Sequence, residues 1–111
     1  MDTNRGPEEL SSFFAALADP TRLNLLRLLS DQRQPDALCV NALASLLGVS
    51  QSAVSQHLRV LRTTGLVRAE RRGYRVHYFV NRQALERYQR LMHSTLLPDE
   101  KDKAPKRAKD G

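Results

Sequence analysis

Six side chains between Gln51 and Arg62 are of the kinds that pair with base edges and phosphates. They are Gln51, Ser52, Ser55, Gln56, Arg59 and Arg62, and helical spacing puts them opposite the apolar series Val54, Leu58 and Leu61. Glutamine suits adenine, arginine suits guanine, and serine suits either. An ordinary solvent-facing helix mixes Glu and Lys, the soluble helix formers. Here no carboxylate occurs from Asn41 to Ala69. A carboxylate facing phosphates would be repelled, so this pattern points to a helix that reads DNA. Further along, Arg71, Arg72 and Arg75 gather at an expected hairpin tip, where they suit a phosphate backbone or a minor groove and add affinity more than specificity. Tyr74 between them suits either a DNA contact or strand packing.

The charge distribution supports the same partner. Seven arginines lie between Ala37 and Leu85 against a single acid, Glu70, so this segment holds the whole net charge of +6. Basic and acidic residues cancel elsewhere. A localised cationic patch fits a polyanion, because each phosphate neutralised releases condensed counterions. Double-stranded DNA is therefore the expected partner.

A chain of 111 residues is enough for one domain, and 41% hydrophobic residues suffice for a core. With 5% aromatics and no Trp, that core is expected to be helical and built of Leu, Val and Ala. No apolar run approaches the ~20 residues of a membrane span, so no membrane partner is expected. The opening MDTNRGPEEL lacks the basic and apolar regions of an export signal. The one cysteine, Cys39, allows no internal disulfide framework. A cytoplasmic protein is expected.

Positioning the reading face takes a small set of elements. Residues 1–7, ending in Gly6-Pro7, read as an arm. A helix from Glu8 carries Leu10, Phe13, Phe14 and Leu17 as its apolar stripe. In ADPTRLNLLRLL, Asp19 suits an N-cap and Pro20 the first helical position, with Leu23, Leu26, Leu28 and Leu29 as the next buried stripe. Pro35 marks a loop. A short helix from about Val40 to Leu47, burying Leu43, Leu46 and Leu47, ends at Gly48. The reading helix then runs from about Gln51 to Thr64 and stops at Gly65. The β-formers Val67, Val76, Tyr78 and Val80 predict a hairpin wing over about 66–80, with its tip at Arg72-Gly73. A last helix from Gln83 buries Leu85, Tyr88, Leu91 and Met92 and ends before Pro98. Residues 98–111 hold all four lysines without apolar periodicity and read as a disordered charged tail. The fold class is mainly α with a β-hairpin wing, a winged helix-turn-helix over 8–97.

ALADPTRLNLLRLL, LCVNALASLLGVSQSAVSQHLRVLRTTGLV and RRGYRVHYFV resemble the ArsR/SmtB family of dimeric bacterial transcriptional repressors. The resemblance covers about residues 8 to 97. It implies a homodimer formed by the first and last helices, which occupies an inverted-repeat operator until an inducer of unspecified chemistry releases it. Phe13, Phe14, Tyr88 and Met92 agree with such a dimer, as more apolar surface than a thin monomer covers.

Many members of the family sense metals, and here the ligand positions depart from the pattern. Where one familiar site has Cys-Val-Cys, LCVNAL keeps Cys39 but has Asn41, followed by Ala42 in place of an acid. The Asp-x-His, His and Glu of a second site fall on Arg82, Ala84, Thr95 and Pro98. A shift of one residue gives Asn81 and Gln83. His57, His77 and His93 rebuild no four-ligand set, so neither metal nor cofactor is expected. His57 reads as an orienting or packing residue, His77 and His93 as half-exposed surface. Cys39 reads as a small apolar filler. The alternative is a thiol near a helix N-terminus, open to oxidation or to a soft metal shared across a dimer. No phosphate loop, nucleophile elbow or paired acids support an enzyme. The competing class is a winged-helix protein-interaction module, for which the basic patch would be irrelevant.

Overall fold

The computed structural model describes residues 5–32 and 38–97. The expected disordered tail lies outside the described residues, as do Pro35 and the first four residues of the expected arm. The elements are α1 (Arg5–Leu17), α2 (Pro20–Asp31), β1 (Leu38–Cys39), α3 (Val40–Leu47), α4 (Gln51–Thr63), β2 (Val67–Arg72), β3 (Arg75–Val80) and α5 (Arg82–Leu96).

The first helix starts at Arg5 rather than Glu8, so residues 5–7 are helical and not part of an arm. Proline interrupts a helix only where its N–H is needed, and Pro7 lies in the first turn, where it is not. Gly6 lets this turn close on the end of α5: a Cβ there would sit 3.0 Å from Thr95 Oγ1 and 3.6 Å from Leu91 Cδ1. The next helix starts as expected. Asp19 Oδ1 accepts from Thr21 N at 2.8 Å and Arg22 N at 3.2 Å, with Pro20 at the first position.

The core is a leucine cluster from all three central helices, joined by the root of the wing. Leu25, Leu29, Leu43, Val54, Leu58, Leu61 and Leu66 are essentially inaccessible to solvent. Two expected stripes are corrected. In α2 the buried pair is Leu25 and Leu29, while Leu23 stays 46% exposed. In α3 Ala44 is buried beside Leu43, and Leu46 is 60% exposed. Both segments carry leucines on more than one side of a short helix, so spacing alone does not choose the buried side.

Phe13 and Tyr88 are corrected as well. Each is buried within the protomer, their rings stacked at 4.3 Å between centroids, and Tyr88 Oη donates to the Thr64 carbonyl at 2.9 Å. Met92 is half-buried against the core, so of the four aromatic and sulfur side chains assigned to a dimer surface only Phe14 is widely exposed, at 42%. The crossing of α1 and α5 itself covers Phe13 and Tyr88.

The sheet has three antiparallel strands in the order β1-β3-β2, one more than the two-stranded hairpin expected. Leu38 pairs with Tyr78 and Cys39 with His77. Gln32 fastens this extra strand, its Nε2 donating to the Tyr78 carbonyl at 2.7 Å and its Oε1 accepting from Leu38 N at 2.6 Å. Two residues are too few to show strand alternation in a sequence. The hairpin loop is Gly73-Tyr74, one residue later than expected, because Arg72 still pairs with Arg75. Positive φ is confined to Gly73 in this loop, which suits glycine as the first residue of a two-residue hairpin turn.

Candidate nucleic-acid interface

Local chemistry fixes the start of α4. Gly48, with φ of 69°, closes α3 through an N–H donated to the Ala44 carbonyl at 2.9 Å. Two residues later Ser50 Oγ accepts from Ala53 N at 3.0 Å and caps α4. Thr63 ends the helix one residue before the expected boundary, and Gly65 turns the chain into β2.

Val54, Leu58 and Leu61 bury the inner face of α4 as expected. That anchors the outer face. Gln51, Ser52, Ser55, Gln56, Arg59 and Arg62 are all solvent-exposed, and at 3.6 residues per turn they share an arc of about 140°. Ser55, Arg59, Arg62 and Thr63 line an open groove of about 430 Å³, floored by Leu58 and Tyr78 at the root of the wing. Donors and positive charge therefore converge on one concave strip. The helix N-terminus adds partial positive charge, and no acid lies in its first turn.

The wing arginines divide by strand alternation. Arg68, Glu70 and Arg72 share one face of β2, and Phe79 stands opposite Arg68. Glu70 accepts hydrogen bonds from Arg68 Nη1 and from Arg72 Nη2, the latter at 2.9 Å. Both guanidiniums lie over the Phe79 ring, 4.7 and 5.2 Å from its centroid. Arg72 is thus half-buried and turned along the wing, whereas Arg71 and Arg75 are exposed. Tyr74 is 102% exposed, which excludes a strand-packing role. The Arg68–Glu70–Arg72 ladder was missed in the sequence, although the alternation in RAERR signals it.

The hydrogen bond from Arg68, followed by that from Arg72, holds the Glu70 carboxyl below its usual range. A carboxyl lowered in the folded state stabilises the fold above its unfolded pKa and loses that contribution as pH falls through the lowered value. The ladder is therefore fully formed at neutral pH and opens only in acid.

Cys39 is half-buried in β1 at the N-cap position of α3, where its side chain makes no capping bond. His77 pairs with it across the sheet and has a buried Nδ1 without a hydrogen-bond partner among the described residues. Among the described residues no three His, Cys, Asp or Glu side chains gather as a metal set. No described helix is long and apolar enough to cross a membrane.

A solved ArsR-like transcriptional regulator from Rhodococcus sp. RHA1 superposes with a TM-score of 0.70 and 32% identity, over 79% of this chain and 77% of that one. The sequence profile of bacterial regulatory proteins of the arsR family matches residues 19–69. The chain belongs to the ArsR family. Its winged helix-turn-helix is the fold of such regulators, and NolR from Sinorhizobium fredii matches with a TM-score of 0.66 and 31% identity over 87% of this chain and 92% of that one. The transcriptional repressor SmtB homolog of Synechocystis sp. is 46% identical over 71 residues, or 64% of this chain and 51% of that protein. The chain thus spans about half the length of this and other curated ArsR-family relatives. The matched segments include α4, the element that carries the exposed polar face.

Proposed function

We propose that this ArsR-family chain is a transcriptional repressor that binds an inverted-repeat operator as a homodimer. In this reading α4 enters the major groove and the β2–β3 wing follows the neighbouring backbone. The observation that carries it is the exposed, acid-free Ser/Gln/Arg face of α4, accompanied by the exposed Arg71 and Arg75 of the wing. A twofold dimer would place two such helices on one side of a duplex. Phe14, Leu85 and Leu96, exposed on α1 and α5, supply apolar surface for its interface. The role is regulatory rather than enzymatic, and it operates in the cytoplasm, where an inducer would lift repression.

Selection of bound fragments from the source genome tests the proposal. Recovery of inverted repeats, with affinity falling steeply as salt rises, is the expected result. A protein-interaction module would show neither the repeats nor the salt dependence.

Two variants probe the details. Glu70→Gln releases Arg68 and Arg72 from their carboxylate, so it is expected to tighten binding to any duplex and steepen the salt slope by about 1. Unchanged affinity and slope in a filter-binding titration would show that neither arginine meets phosphate. Cys39→Ser is expected to keep DNA affinity, and zinc or cadmium near equimolar amounts should leave the wild-type complex intact, because two symmetry-related thiols fall short of a thiolate set. Metal-induced release that vanishes in Cys39→Ser would make Cys39 a sensor, and release by oxidants alone would make it a redox switch.

A further inference from the structure

One guanidinium links three helices at the back of the reading helix. The first helix ends at Leu17 without a basic residue in its last turn, so its terminal carbonyls lack a neutralising charge of their own. Arg22 supplies it from α2. Its Nε donates to the Ala16 carbonyl at 2.6 Å, and Nη2 reaches the Ala15 carbonyl at 3.5 Å. The remaining Nη1 faces His57 Nδ1 on α4 at 3.4 Å. Val54, Leu58 and Leu61 pack the core on one side of His57, and the exposed Gln56 adjoins it in sequence. His57 was expected to orient or pack, and its partner is this guanidinium.

A guanidinium only donates, so the contact requires a lone pair on Nδ1 and the imidazole proton on Nε2. A second proton would set an N–H against an N–H and a cation against a cation. On α1, Glu9 lines the same groove as Arg22 and pairs with Arg87 of α5. Asp19 at the head of α2 is held below its usual range chiefly by the backbone hydrogen bond from Arg22 and then by that from Thr21, and its carboxylate lies close enough to the ring to interact with it. Arg27 and Asp31 lie further along α2, and α3 has no ionisable side chain. In β2, Arg68, Glu70 and Arg72 engage one another, and Arg71 is exposed near the wing tip. The α4 residues one turn from His57, namely Ala53, Val54, Val60 and Leu61, are uncharged.

We propose that Arg22 and His57 are positioning residues: the neutral imidazole, held by Arg22, fixes the reading helix against the α1–α2 junction. Operator affinity then depends on the protonation of a ring that makes no DNA contact. This rests on the DNA-reading role of α4.

The test uses the full chain with two labelled duplexes, a fragment recovered by genomic selection and a random sequence, from about pH 8 to about pH 5. The wild type is expected to lose about tenfold more affinity for the selected fragment than for the random one, the scale of a lost hydrogen bond to a charged group. His57→Asn, which offers an amide oxygen near the Nδ1 position and does not titrate, should bind like wild type at the upper end and keep that preference in acid. Arg22→Gln should show the weakened preference at both ends. Any contribution from His77 or His93 persists in His57→Asn and is separated in that way. Wild-type pH dependence in His57→Asn, or wild-type preference in Arg22→Gln, would overturn the proposal. Nitrogen NMR of the ring supplies a readout independent of DNA: Nε2 protonated and Nδ1 bare at about pH 8 is expected, and an Nδ1–H tautomer would overturn the tie outright. A wild type that never prefers the selected fragment, with the tautomer as expected, would overturn the DNA reading and the operator effect together while the tie itself stood.

Discussion

Gln56→Ala is expected to weaken binding to a selected operator by about 1–3 kcal/mol, or roughly five- to 150-fold, while random duplex is bound almost as before. The side chain is exposed near the middle of α4, and nothing else in the protein engages it among the described residues. Its removal therefore leaves the fold alone. A base contact is lost only where the right base is present, so the loss should be confined to specific sequence. Ser55→Ala should behave alike. Arg71→Ala and Arg75→Ala provide the contrast, lowering affinity for both duplexes and flattening the salt slope by about 1 each. Paired anisotropy titrations over a range of salt separate the two classes. Equal losses on both duplexes for Gln56→Ala would move the reading face elsewhere on the protein.

Phe13→Ala is expected to destabilise the protomer by about 3–5 kcal/mol, more than any of the other substitutions. Phe13 is buried, stacks on Tyr88 and packs in the core cluster, so truncation removes a whole ring from an enclosed site. Phe14 is its neighbour and its opposite. Being 42% exposed, Phe14→Ala should change protomer stability far less and act on the association of two copies. Urea unfolding at several protein concentrations, with sedimentation in parallel, distinguishes them. A Phe13→Ala protein with unaltered unfolding but weakened association would place Phe13 in the interface after all.

Features that depend on neighbours in the chain were legible in the sequence. The Asp19 cap with Pro20, the Gly48 turn and the two faces of α4 each express a local rule in a few adjacent residues. The hairpin was legible for the same reason. Features that depend on a distant partner were not. Nothing near Gln32 announces that its amide will hold a two-residue strand against Tyr78, 46 positions away. Nothing near Arg22 announces His57. Leucine-rich α2 shows the limit of periodicity, since Leu23 and Leu25 are equally apolar and only tertiary packing selects Leu25. At the candidate interface, the six α4 residues were legible because burial of Val54, Leu58 and Leu61 orients them. Arg72 was not, because its direction follows from Glu70 and Phe79 on the finished hairpin.

The wing also acts as a ruler. Two six-residue strands joined by a two-residue loop extend about 20 Å from root to tip. In the proposed DNA-bound arrangement, that length would set how far along a duplex the wing can reach. Adding two residues to each strand would advance the tip by about 7 Å while every side chain kept its face. Adding one would exchange the faces, turning Arg71 toward the side now held by Glu70 and Phe79. In the proposed complex, lengthening both strands by even steps would therefore alter the footprint on DNA without touching α4.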